Sequence, residues 1–454
     1  MRNAQIFKVL SATLVLSMLL VACGPAATAA PQAQETQPTA AAEQPNAQAP
    51  AGEKPKMTIW IGVSYTPKAD LLNKTFAEEW AAKNGVELTV VQESGTVLTP
   101  LFNAAIETNT LPDVLSWTSP DWAPKLHRLG LALDVIDIVN MQNKQGGGLV
   151  ESATRAVMAT DGAAFAIPTH SATEIFYVRK DLLEASGLKV PETWEDVYAV
   201  AKAVSTDRVW GYGQQLGTTS YDAEVSLLSM LASYGASPYA ADAKTLNLNN
   251  DGTRKVLTMI KQAYDDGSVP PDAVTWDDSG NNKAYLTKAS AMIYNTGSVL
   301  NAMRKDDPDL LKNTVFTRIP KGDKGSLLLG YIYGLIIAKT SKYPDLAKDL
   351  VTYMVDVERV EQVMEAAGSN YMPLYKDLAN APMWQDPINQ IFISQLADNN
   401  AIGYPGPTSE WALEAWRTHT ITQMVNKVIV ENKTIDVAIK ETEDALTKIY
   451  AQYH

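Results

Sequence analysis

Three short apolar runs occur at the start of the part of the chain with a folding pattern. Met57–Val63, Val86–Val91 and Asp113–Trp117 each have the length and apolar content of a buried strand. Amphipathic stretches separate these runs, and helices are expected to start at Thr66–Pro67 and at Thr99–Pro100. Because strand and helix alternate, the pattern predicts an α/β fold with a parallel or mixed sheet covered by helices.

The later part of the chain repeats this organisation in a second α/β unit. Thr193 and Asp196 have the spacing of a capping box, and the apolar positions that follow, as far as Val204, lie on one helical face. Residues 344–355 and 434–450 show the same helical periodicity. No internal repeat of fixed period is present, so the two units are not copies in a repeat array.

The N-terminus has the order of charges and apolar residues found in an export signal. Arg2 and Lys8 precede an apolar run that extends from Val9 to Ala22. This run is too short for a comfortable membrane span. The sequence "LVACG" around Cys23 resembles the bacterial lipobox, in which cysteine is joined to lipid and becomes the first mature residue. We therefore predict a signal peptide over 1–22 and lipidation of Cys23. The alternative is a free or buried cysteine in an ordinary signal.

A segment rich in Ala, Pro and Gln follows the only cysteine. Residues 23–55 lack large apolar side chains after Cys23 and are expected to form a disordered tether between the lipid and a folded body. Beyond the signal peptide, no second apolar run of about 18 residues suggests a membrane span. A single cysteine also allows no intramolecular disulfide.

Length and net charge further narrow the class of protein to which the chain can belong. Removing residues 1–22, which carry two positive side chains, changes the formal net charge from −13 to −15. Such an acidic body is unsuited to nucleic acid, and its membrane contact should come only from the lipid. About 400 residues exceed one compact core, so two domains or lobes are expected. The 10 Trp and 19 Tyr are ample for a core and for a sugar-binding cleft.

The sequence contains no established catalytic or cofactor motif. Gly211–Gly217 is one residue too long for a dinucleotide fingerprint, and Asn247–Gly252 lacks the glutamate that a calcium loop needs at Thr258. The four histidines are scattered, so neither a metal nor a cofactor is expected. Asp277 and Asp278 form the densest acidic pair near aromatic residues. We interpret them as a solvated loop, with a glycosidase pair as the alternative.

The order of several segments identifies a resemblance over the chain from about Met57. These segments are "TIWIG", "LPDVLSW", "LHRLGLALDV", "DGAAFAIP", "IFYVRKDLLEASGLKVPETWEDV", "KASAMIYNTGS" and "IPKGDKGSLLLGYIYGLIIAKTSKYPDLAKDLVTYM". Together they resemble the family 1 extracellular solute-binding proteins of ABC importers, which include maltose- and other sugar-binding proteins. The segment "YVRKDLLEASGL" followed by "VPETWEDV" is the most specific part of the match.

The resemblance implies a two-lobed α/β fold of the periplasmic-binding-protein type (type II), with the ligand in a cleft between the lobes. Three crossings are expected near Pro168–Thr173, Gly330–Gly334 and Asn370–Leu374. Lobe 1 would comprise 56–169 with 331–370, and lobe 2 would comprise 170–330 with 371–454.

The family also implies what the protein does. Closure of the lobes would capture a mono- to oligosaccharide, and a monomeric, lipid-anchored protein would deliver it to the permease subunits at the extracytoplasmic face. A polyol, a glycerol phosphate ester or a polyamine is the alternative ligand. A surface glycosidase is a further alternative.

Local alignment with the family gives the residues expected to contact the ligand. They lie at strand ends and crossings, where aromatic rings would stack on sugar faces and polar groups would bind hydroxyls. They are Ser64, Tyr65, Trp117, Asp121, Trp122, His170, Glu174, Tyr331, Tyr333, Asn370, Tyr371 and Trp411. Alternatives remain for three of them: Trp117 in the core, Asp121 as a helix cap, and His170 as a hydrogen-bonding hinge residue.

One position departs from the family pattern. The family often carries a stacking tryptophan two residues after a glycine, but here Gly297 is followed by Val299. Tyr294, Asn295 or Trp276 would then compensate, or the ligand would be less sugar-like.

Overall fold

The computed structural model describes residues 53–63, 66–116, 121–159 and 161–454. The predicted signal peptide, Cys23 and most of the predicted tether lie outside these ranges. Within them, no helix combines the length and the apolar character needed to cross a bilayer.

The strands are short, and most belong to two sheets. In chain order they are Lys56–Gly62 (β1), Glu87–Glu93 (β2), Val114–Ser116 (β3), Ile167–Ala172 (β4), Ile175–Arg179 (β5), Trp210–Tyr212 (β6), Ser237–Tyr239 (β7), Leu246–Asn247 (β8), Ser290–Asn295 (β9), Thr314–Thr317 (β10), Leu328–Leu329 (β11), Tyr331–Ile337 (β12), Met372–Pro373 (β13) and Asn399–Asn400 (β14).

The helices follow the amphipathic stretches. They are Pro67–Asn84 (α1), Gly95–Thr108 (α2), Trp122–Arg128 (α3), Ile136–Gln142 (α4), Glu151–Val157 (α5), Lys180–Ser186 (α6), Trp194–Val204 (α7), Tyr221–Ser233 (α8), Asp251–Asp265 (α9), Gly280–Leu286 (α10), Gly297–Asp306 (α11), Pro308–Lys312 (α12), Pro344–Met354 (α13), Val357–Ala367 (α14), Pro387–Leu396 (α15), Glu410–Arg417 (α16), Thr420–Ile429 (α17) and Ile435–Ala451 (α18). Short 3₁₀ turns include Gly368–Asn370 and Lys376–Asn380.

The first sheet is mixed and has six strands in the order β13-β4-β12-β3-β1-β2. Strand β1 pairs in parallel with β2 and β3, whereas β12 is antiparallel to β3 and β4. The three strands expected from the first apolar runs are therefore confirmed as neighbours in one sheet. Their inward side chains, such as Ile59 and Leu115, have no exposed surface because helices cover the sheet.

The second sheet has four strands in the order β10-β5-β9-β6. All residues of β5 and β9 are buried, as expected for central strands covered on both faces. Helix α7 packs on this sheet, and the buried side chains of Trp194 and Val197 belong to its core. Two sheets with separate strand orders confirm the α/β class.

The chain passes from the first sheet to the second at Thr173–Glu174, between β4 and β5. It returns between β10 and β12. Strand β4 pairs with both β12 and β13, so the segments at the crossings lie side by side.

Two boundaries differ from the sequence-based expectation. Helix α2 begins at Gly95, so Pro100 lies inside the helix rather than at its start, at an exposed position. Residues 371–376, which we expected in lobe 2, lie with the first sheet. Met372 pairs with Ser171, and Lys376 N donates to Gly148 O at 3.0 Å, because these backbone groups find partners there.

The capping box of α7 is confirmed. Thr193 Oγ1 accepts from Asp196 N at 3.1 Å, and Asp196 Oδ2 accepts from Thr193 N at 3.0 Å. Thr193→Ala is expected to reduce the free energy of unfolding by about 1 kcal/mol, since an orphan N–H of the first turn loses its partner. Urea denaturation followed by far-UV circular dichroism measures this change. Thr258→Ala, at an exposed threonine inside α9, is the control; an equal loss in both variants would contradict the capping role.

Candidate functional site

Aromatic rings stack where the crossing segments meet. His170 on β4 lies between Tyr333 on β12 and Tyr371, with ring centroids 4.8 and 3.7 Å apart. Burial lowers the pKa of His170 to about 3, so the imidazole is neutral at physiological pH. Its Nδ1 is 3.0 Å from Thr169 Oγ1. The ring therefore acts as a flat, uncharged member of an aromatic stack.

Three carboxyl groups come together beside this stack. Glu174 lies in the first crossing, Asp222 in the first turn of α8, and Asp278 just before α10. Asp278 Oδ1 accepts from Ser220 Oγ at 2.8 Å and from Asp222 N at 3.2 Å. These bonds hold the loop containing Asp278 against the start of α8.

Burial has strong electrostatic consequences for this acidic group. Desolvation raises the pKa of Glu174 to about 8; the Tyr294 hydroxyl opposes that shift, and Asp278 adds to it. Desolvation, together with Asp278 and Glu174, also raises the pKa of Asp222 well above its ordinary value. Like charges in a poorly solvated site disfavour ionisation, so Glu174 and Asp222 retain protons to unusually high pH.

A second set of rings extends from the acidic group to the surface. Tyr221 stacks on Trp416 at 4.6 Å, and Trp416 meets Tyr331 edge-on at 5.6 Å. Tyr331 lies 6.1 Å from Tyr333, which connects this set to the His170 stack. Tyr221 is 36% exposed, so the arc of rings reaches solvent at one end. Aromatic faces next to carboxyl groups are suited to binding a small polar molecule with an apolar frame.

The structure brings together part of the expected site. His170, Glu174, Tyr331, Tyr333 and Tyr371 lie in or beside the arc, and Tyr294 contributes its hydroxyl beside Glu174. Ser64, Tyr65 and Trp117 lie outside the described residues.

Three expected residues have structural partners instead. Trp122 is 1% exposed and stacks on Phe102 at 4.1 Å in the core, which leaves no face for a solute. Asn295 is 2% exposed and donates through Nδ2 to Asn281 Oδ1 at 2.9 Å. Trp411 donates through Nε1 to Ala243 O at 2.6 Å. Its ring meets those of the C-terminal residues Tyr450 and His454 edge-on. These three side chains are therefore engaged in the packing and hydrogen bonds of the fold.

The remaining expected residues lie at the edges of the candidate site. Trp276 is partly buried against the second core, and Asn370 Oδ1 accepts from Thr296 Oγ1 at 3.2 Å. Asp121 precedes α3 without capping it through its side chain, which argues against the helix-cap alternative. Its charge instead raises the pKa of Tyr221, after the larger effect of burial.

Sequence reasoning missed Tyr221, Asp222 and Trp416, and it interpreted Asp278 as solvated loop. The sequence does carry one signal for α8: Ser220 is a good N-cap residue, and its Oγ accepts from Ala223 N at 3.1 Å. A predicted helix start would place Tyr221 and Asp222 at an exposed end. No sequence spacing connects them to Glu174.

An ion pair joins the two sides of the site. Arg128 at the end of α3 donates through Nε to Glu410 Oε1 on α16 at 2.5 Å, and its guanidinium lies 5.7 Å from the centroid of the Tyr453 ring. Leu126 of α3 packs in the first core and Leu413 of α16 in the second. This contact therefore connects the body around the first sheet to that around the second.

The raised pKa of Glu174 predicts a pH-dependent stability. A carboxyl group whose pKa is higher in the folded than in the unfolded state stabilises the fold at low pH, and this contribution is lost as pH rises through the folded value of about 8. Between pH 6.5 and 8.5 we expect the free energy of unfolding to fall by about 1–2 kcal/mol through this group. Urea titrations at both pH values measure it.

The variant Glu174→Gln tests whether Glu174 causes this pH dependence of the free energy of unfolding. The amide does not titrate, so the decrease between pH 6.5 and 8.5 should shrink by about 1–2 kcal/mol relative to the unsubstituted protein. The window starts at pH 6.5 because the depressed pKa of His170 has the opposite effect at lower pH. An unchanged pH slope in Glu174→Gln would show that Glu174 has an ordinary pKa.

Comparison with known proteins defines the class. Residues 65–359 match the family of bacterial extracellular solute-binding proteins, and the chain belongs to this family. The resemblance seen in the sequence is thus confirmed. YcjN of Escherichia coli (strain K12), which carries the provisional name of an ABC transporter periplasmic-binding protein, is 22% identical over 358 residues, covering 76% of this chain and 81% of YcjN.

Solved structures agree on the fold. A sugar transporter protein from Arthrobacter chlorophenolicus A6 with bound laminaribiose has a TM-score of 0.75 and 16% identity, covering 87% of this chain and 99% of that one. An ABC transporter solute-binding protein from Agrobacterium radiobacter K84 in complex with ribitol has a TM-score of 0.71 and 18% identity, covering 87% and 98%. The expected two-lobed periplasmic-binding-protein fold is confirmed.

Proposed function

We propose that this protein captures a carbohydrate, from a mono- to an oligosaccharide, and delivers it to the permease of an ABC importer. The observation that carries the proposal is the arc of Tyr221, Trp416, Tyr331 and Tyr333 next to the buried carboxyl of Glu174. Rings present apolar faces to a sugar, and carboxyl groups bind its hydroxyls. Binding of laminaribiose and of ribitol by proteins with this fold supports a polyhydroxylated ligand.

Capture would involve approach of the two lobes. The crossings near Glu174 and Tyr331 are the hinge in this proposal, and the Arg128–Glu410 pair favours the closed arrangement. The lobes in this proposal are those expected from sequence, except that the segment around Met372 belongs with the first sheet. Closure buries the solute and gives the permease a shape to recognise. In this proposal the protein acts as a monomer and does no chemistry on its solute.

Among the alternative ligands, a glycerol phosphate ester is disfavoured by charge. Glu174, Asp222 and Asp278 offer no positive charge to a phosphate, which needs Arg side chains or helix N-termini facing it. Arg417, whose charge acts on Tyr221, is bound through both Nε and Nη2 to Glu414, at 2.9 and 2.6 Å. A polyol remains compatible with the same hydrogen-bonding groups.

A thermal-shift screen of the full chain against neutral mono- and oligosaccharides and polyols tests the proposal. A ligand at 100 times its Kd stabilises the folded state by about 2.7 kcal/mol, which is readily detected. We expect a sugar to stabilise the protein and Tyr331→Ala to weaken its binding about tenfold or more. Trp411→Ala is the matched aromatic control and should bind as before. If no sugar or polyol raised the unfolding temperature, the proposed ligand class would be refuted.

We further propose that Cys23 is lipidated after removal of residues 1–22 and that 23–55 tethers the body to the extracytoplasmic face of the membrane. Two or more acyl chains would anchor the protein stably. Mass spectrometry of the N-terminal peptide from membrane fractions should find a diacylglyceryl cysteine. Cys23→Ser should leave the protein unlipidated. An intact signal peptide or an unmodified Cys23 in the native protein would contradict this anchor.

A further inference from the structure

Within the described residues, no cation is among the groups that act on Glu174 or Asp222, and His419, which faces Asp278, has a pKa lowered by burial. The interactions that act on Glu174 come from desolvation, Tyr294 and Asp278, and those on Asp222 come from desolvation, Asp278 and Glu174. None of these is a positive charge. Ionising these carboxyl groups together without a counter-charge costs free energy, so a positively charged ligand group would stabilise their ionised forms.

Two buried polar atoms point to the same place independently of charge. Tyr294 is 3% exposed and Glu174 is 2% exposed. Within the described residues, neither Tyr294 Oη nor Glu174 Oε2 makes a hydrogen bond of good geometry, although the hydroxyl lies close enough to Glu174 and Ser229 for these contacts to act on the pKa values. Buried polar groups are nearly always paired in folded proteins. A donor-rich ligand group reaching Glu174 would satisfy the carboxylate oxygen.

The rings around these carboxyl groups favour a particular chemistry. Tyr331 and Tyr333 lie within electrostatic range of both Glu174 and Asp222, and Tyr221 is near Asp278. Tyrosine faces attract cations, and a carboxylate beside them strengthens that attraction. A neutral sugar would use the same rings, but it would not stabilise the ionised forms of Glu174 and Asp222.

We propose that the captured solute carries a protonated amine, whose ammonium group lies between Glu174 and Asp222 while its polyhydroxylated frame lies against Tyr331 and Tyr333. This inference rests on the proposed function and specifies its ligand as an amino sugar or a related amino polyol. The ammonium donates to Glu174 Oε2 and is balanced by the neighbouring Asp222. Simple diamines share the ammonium chemistry but lack the hydroxylated frame, so they serve as a separate arm of the test.

Binding of such a solute should depend on pH. The groups that surround Glu174 come from several elements, and none of them supplies a positive charge at pH 7: Tyr177 on β5, Tyr212 on β6, Asp222 on α8, Asp278 before α10, Tyr294 on β9, and Tyr331 and Tyr333 on β12. An ammonium ligand favours the ionised carboxyl, so its binding releases a proton from a protonated Glu174. The affinity for the ammonium form of the solute should therefore increase between pH 6 and pH 8.

Calorimetric titration of the full chain with matched sugar pairs tests the inference. The probes are D-glucosamine against D-glucose, and the unacetylated β-1,4-linked glucosamine dimer against cellobiose and the N,N′-diacetylated dimer, with putrescine as the diamine. At pH 7.5 we expect at least one free amine to bind ten times or more tighter than its hydroxyl and acetylated counterparts. Titrations in buffers of different ionisation enthalpy should detect proton release.

Two variants distinguish a specific effect of Glu174 from a general effect of the protein's negative charge. Glu174→Gln should reduce the preference for the amine to within about threefold, because it removes the charge while keeping the shape. Asp277→Asn is the matched control: Asp277 is exposed and its carboxylate accepts hydrogen bonds from the local Ser279, so the preference should persist.

The outcomes distinguish this inference from the function on which it rests. Neutral sugars that bind as tightly as their amine counterparts would overturn the amine and leave carbohydrate capture intact. If putrescine bound and no sugar did, the solute would not need a hydroxylated frame. The proposed carbohydrate function would then be wrong. Absence of binding by every amine would overturn the inference, and the neutral-sugar screen would then decide the proposed function alone.

Discussion

Glu224→Ala is expected to lower the free energy of unfolding by about 3–5 kcal/mol at pH 8. Glu224 lies on α8 and has no exposed surface. Its carboxylate accepts from Ile421 N at 3.0 Å and from Thr422 N and Oγ1, both at 2.7 Å. Truncation to alanine leaves these three donors buried without their acceptor, which is among the most damaging kinds of core substitution.

These hydrogen bonds cap the N-terminus of α17. The first N–H groups of α17 have no partners within the helix, and the preceding His419 makes no side-chain capping bond. A carboxylate at this position satisfies two of these groups and interacts favourably with the helix dipole. Glu224 therefore connects α8, which carries Tyr221 and Asp222, to the helix that follows Trp416.

Urea unfolding of Glu224→Ala at pH 8 measures this effect. Burial raises the pKa of Glu224 to about 7, so pH 8 ensures that the carboxylate is ionised. Glu184→Ala is the control: its side chain is 68% exposed and only 3.6 Å from Lys180 in a surface pair, so a change of at most about 0.5 kcal/mol is expected. A loss below 1 kcal/mol in Glu224→Ala would contradict the capping role.

The sequence predicted the fold better than the site. Apolar runs correctly indicated β1, β2 and β3, and the capping box at Thr193 identified the start of α7, because these signals are local. The boundary near Met372 depends instead on a partner, Ser171, that is distant along the chain. Only the paired structure determines to which sheet such a two-residue strand belongs.

The choice between two tryptophans on one helix shows a second limit. Trp411 and Trp416 both lie on α16, and five residues correspond to a rotation of about 140° around the helix axis. They therefore face different surroundings: Trp411 contacts Tyr450, and Trp416 contacts Tyr221. Periodicity predicts that the two rings diverge, but it does not indicate which of them faces the acidic group.

The carboxyl group at the centre of the site illustrates the third limit. Glu174, Asp222 and Asp278 belong to segments far apart in the chain, and each has an unremarkable local sequence. Only Glu174 was expected to bind ligand, through the family alignment. The raised pKa values arise from burial and mutual proximity, which depend on tertiary structure rather than on sequence spacing.

Gly297→Ala is expected to lower the free energy of unfolding by about 3 kcal/mol or more. A Cβ at Gly297, the first residue of α11, would lie 1.7 Å from Ser369 O and 2.2 Å from Ser369 C. Backbone atoms cannot move aside as a flexible side chain can, so α11 or the 3₁₀ turn at Gly368–Asn370 must shift. Ser369 is itself held by Arg304 Nη1, which donates to Ser369 Oγ at 2.8 Å.

Gly95→Ala is a closely matched control for this substitution. Gly95 is likewise the first residue of its helix, α2, but nothing lies within 4 Å of the added Cβ. Alanine there should be neutral or slightly stabilising, since it restricts the unfolded chain. Thermal unfolding of both variants gives the comparison. Similar midpoints for the two variants would show that the contact between α11 and the turn is loose.

The same pair of variants also relates the fold to solute binding. Thr296, next to Gly297, contacts Asn370, and the adjacent Tyr371 stacks on His170. A forced shift at Gly297 is therefore transmitted to the aromatic stack at the crossings, whereas a change at Gly95 is not. Gly297→Ala should weaken binding of any captured solute even where the protein remains folded, and Gly95→Ala should not. Unaltered affinity in folded Gly297→Ala would separate the α11 contact from the site and confine the role of this glycine to packing.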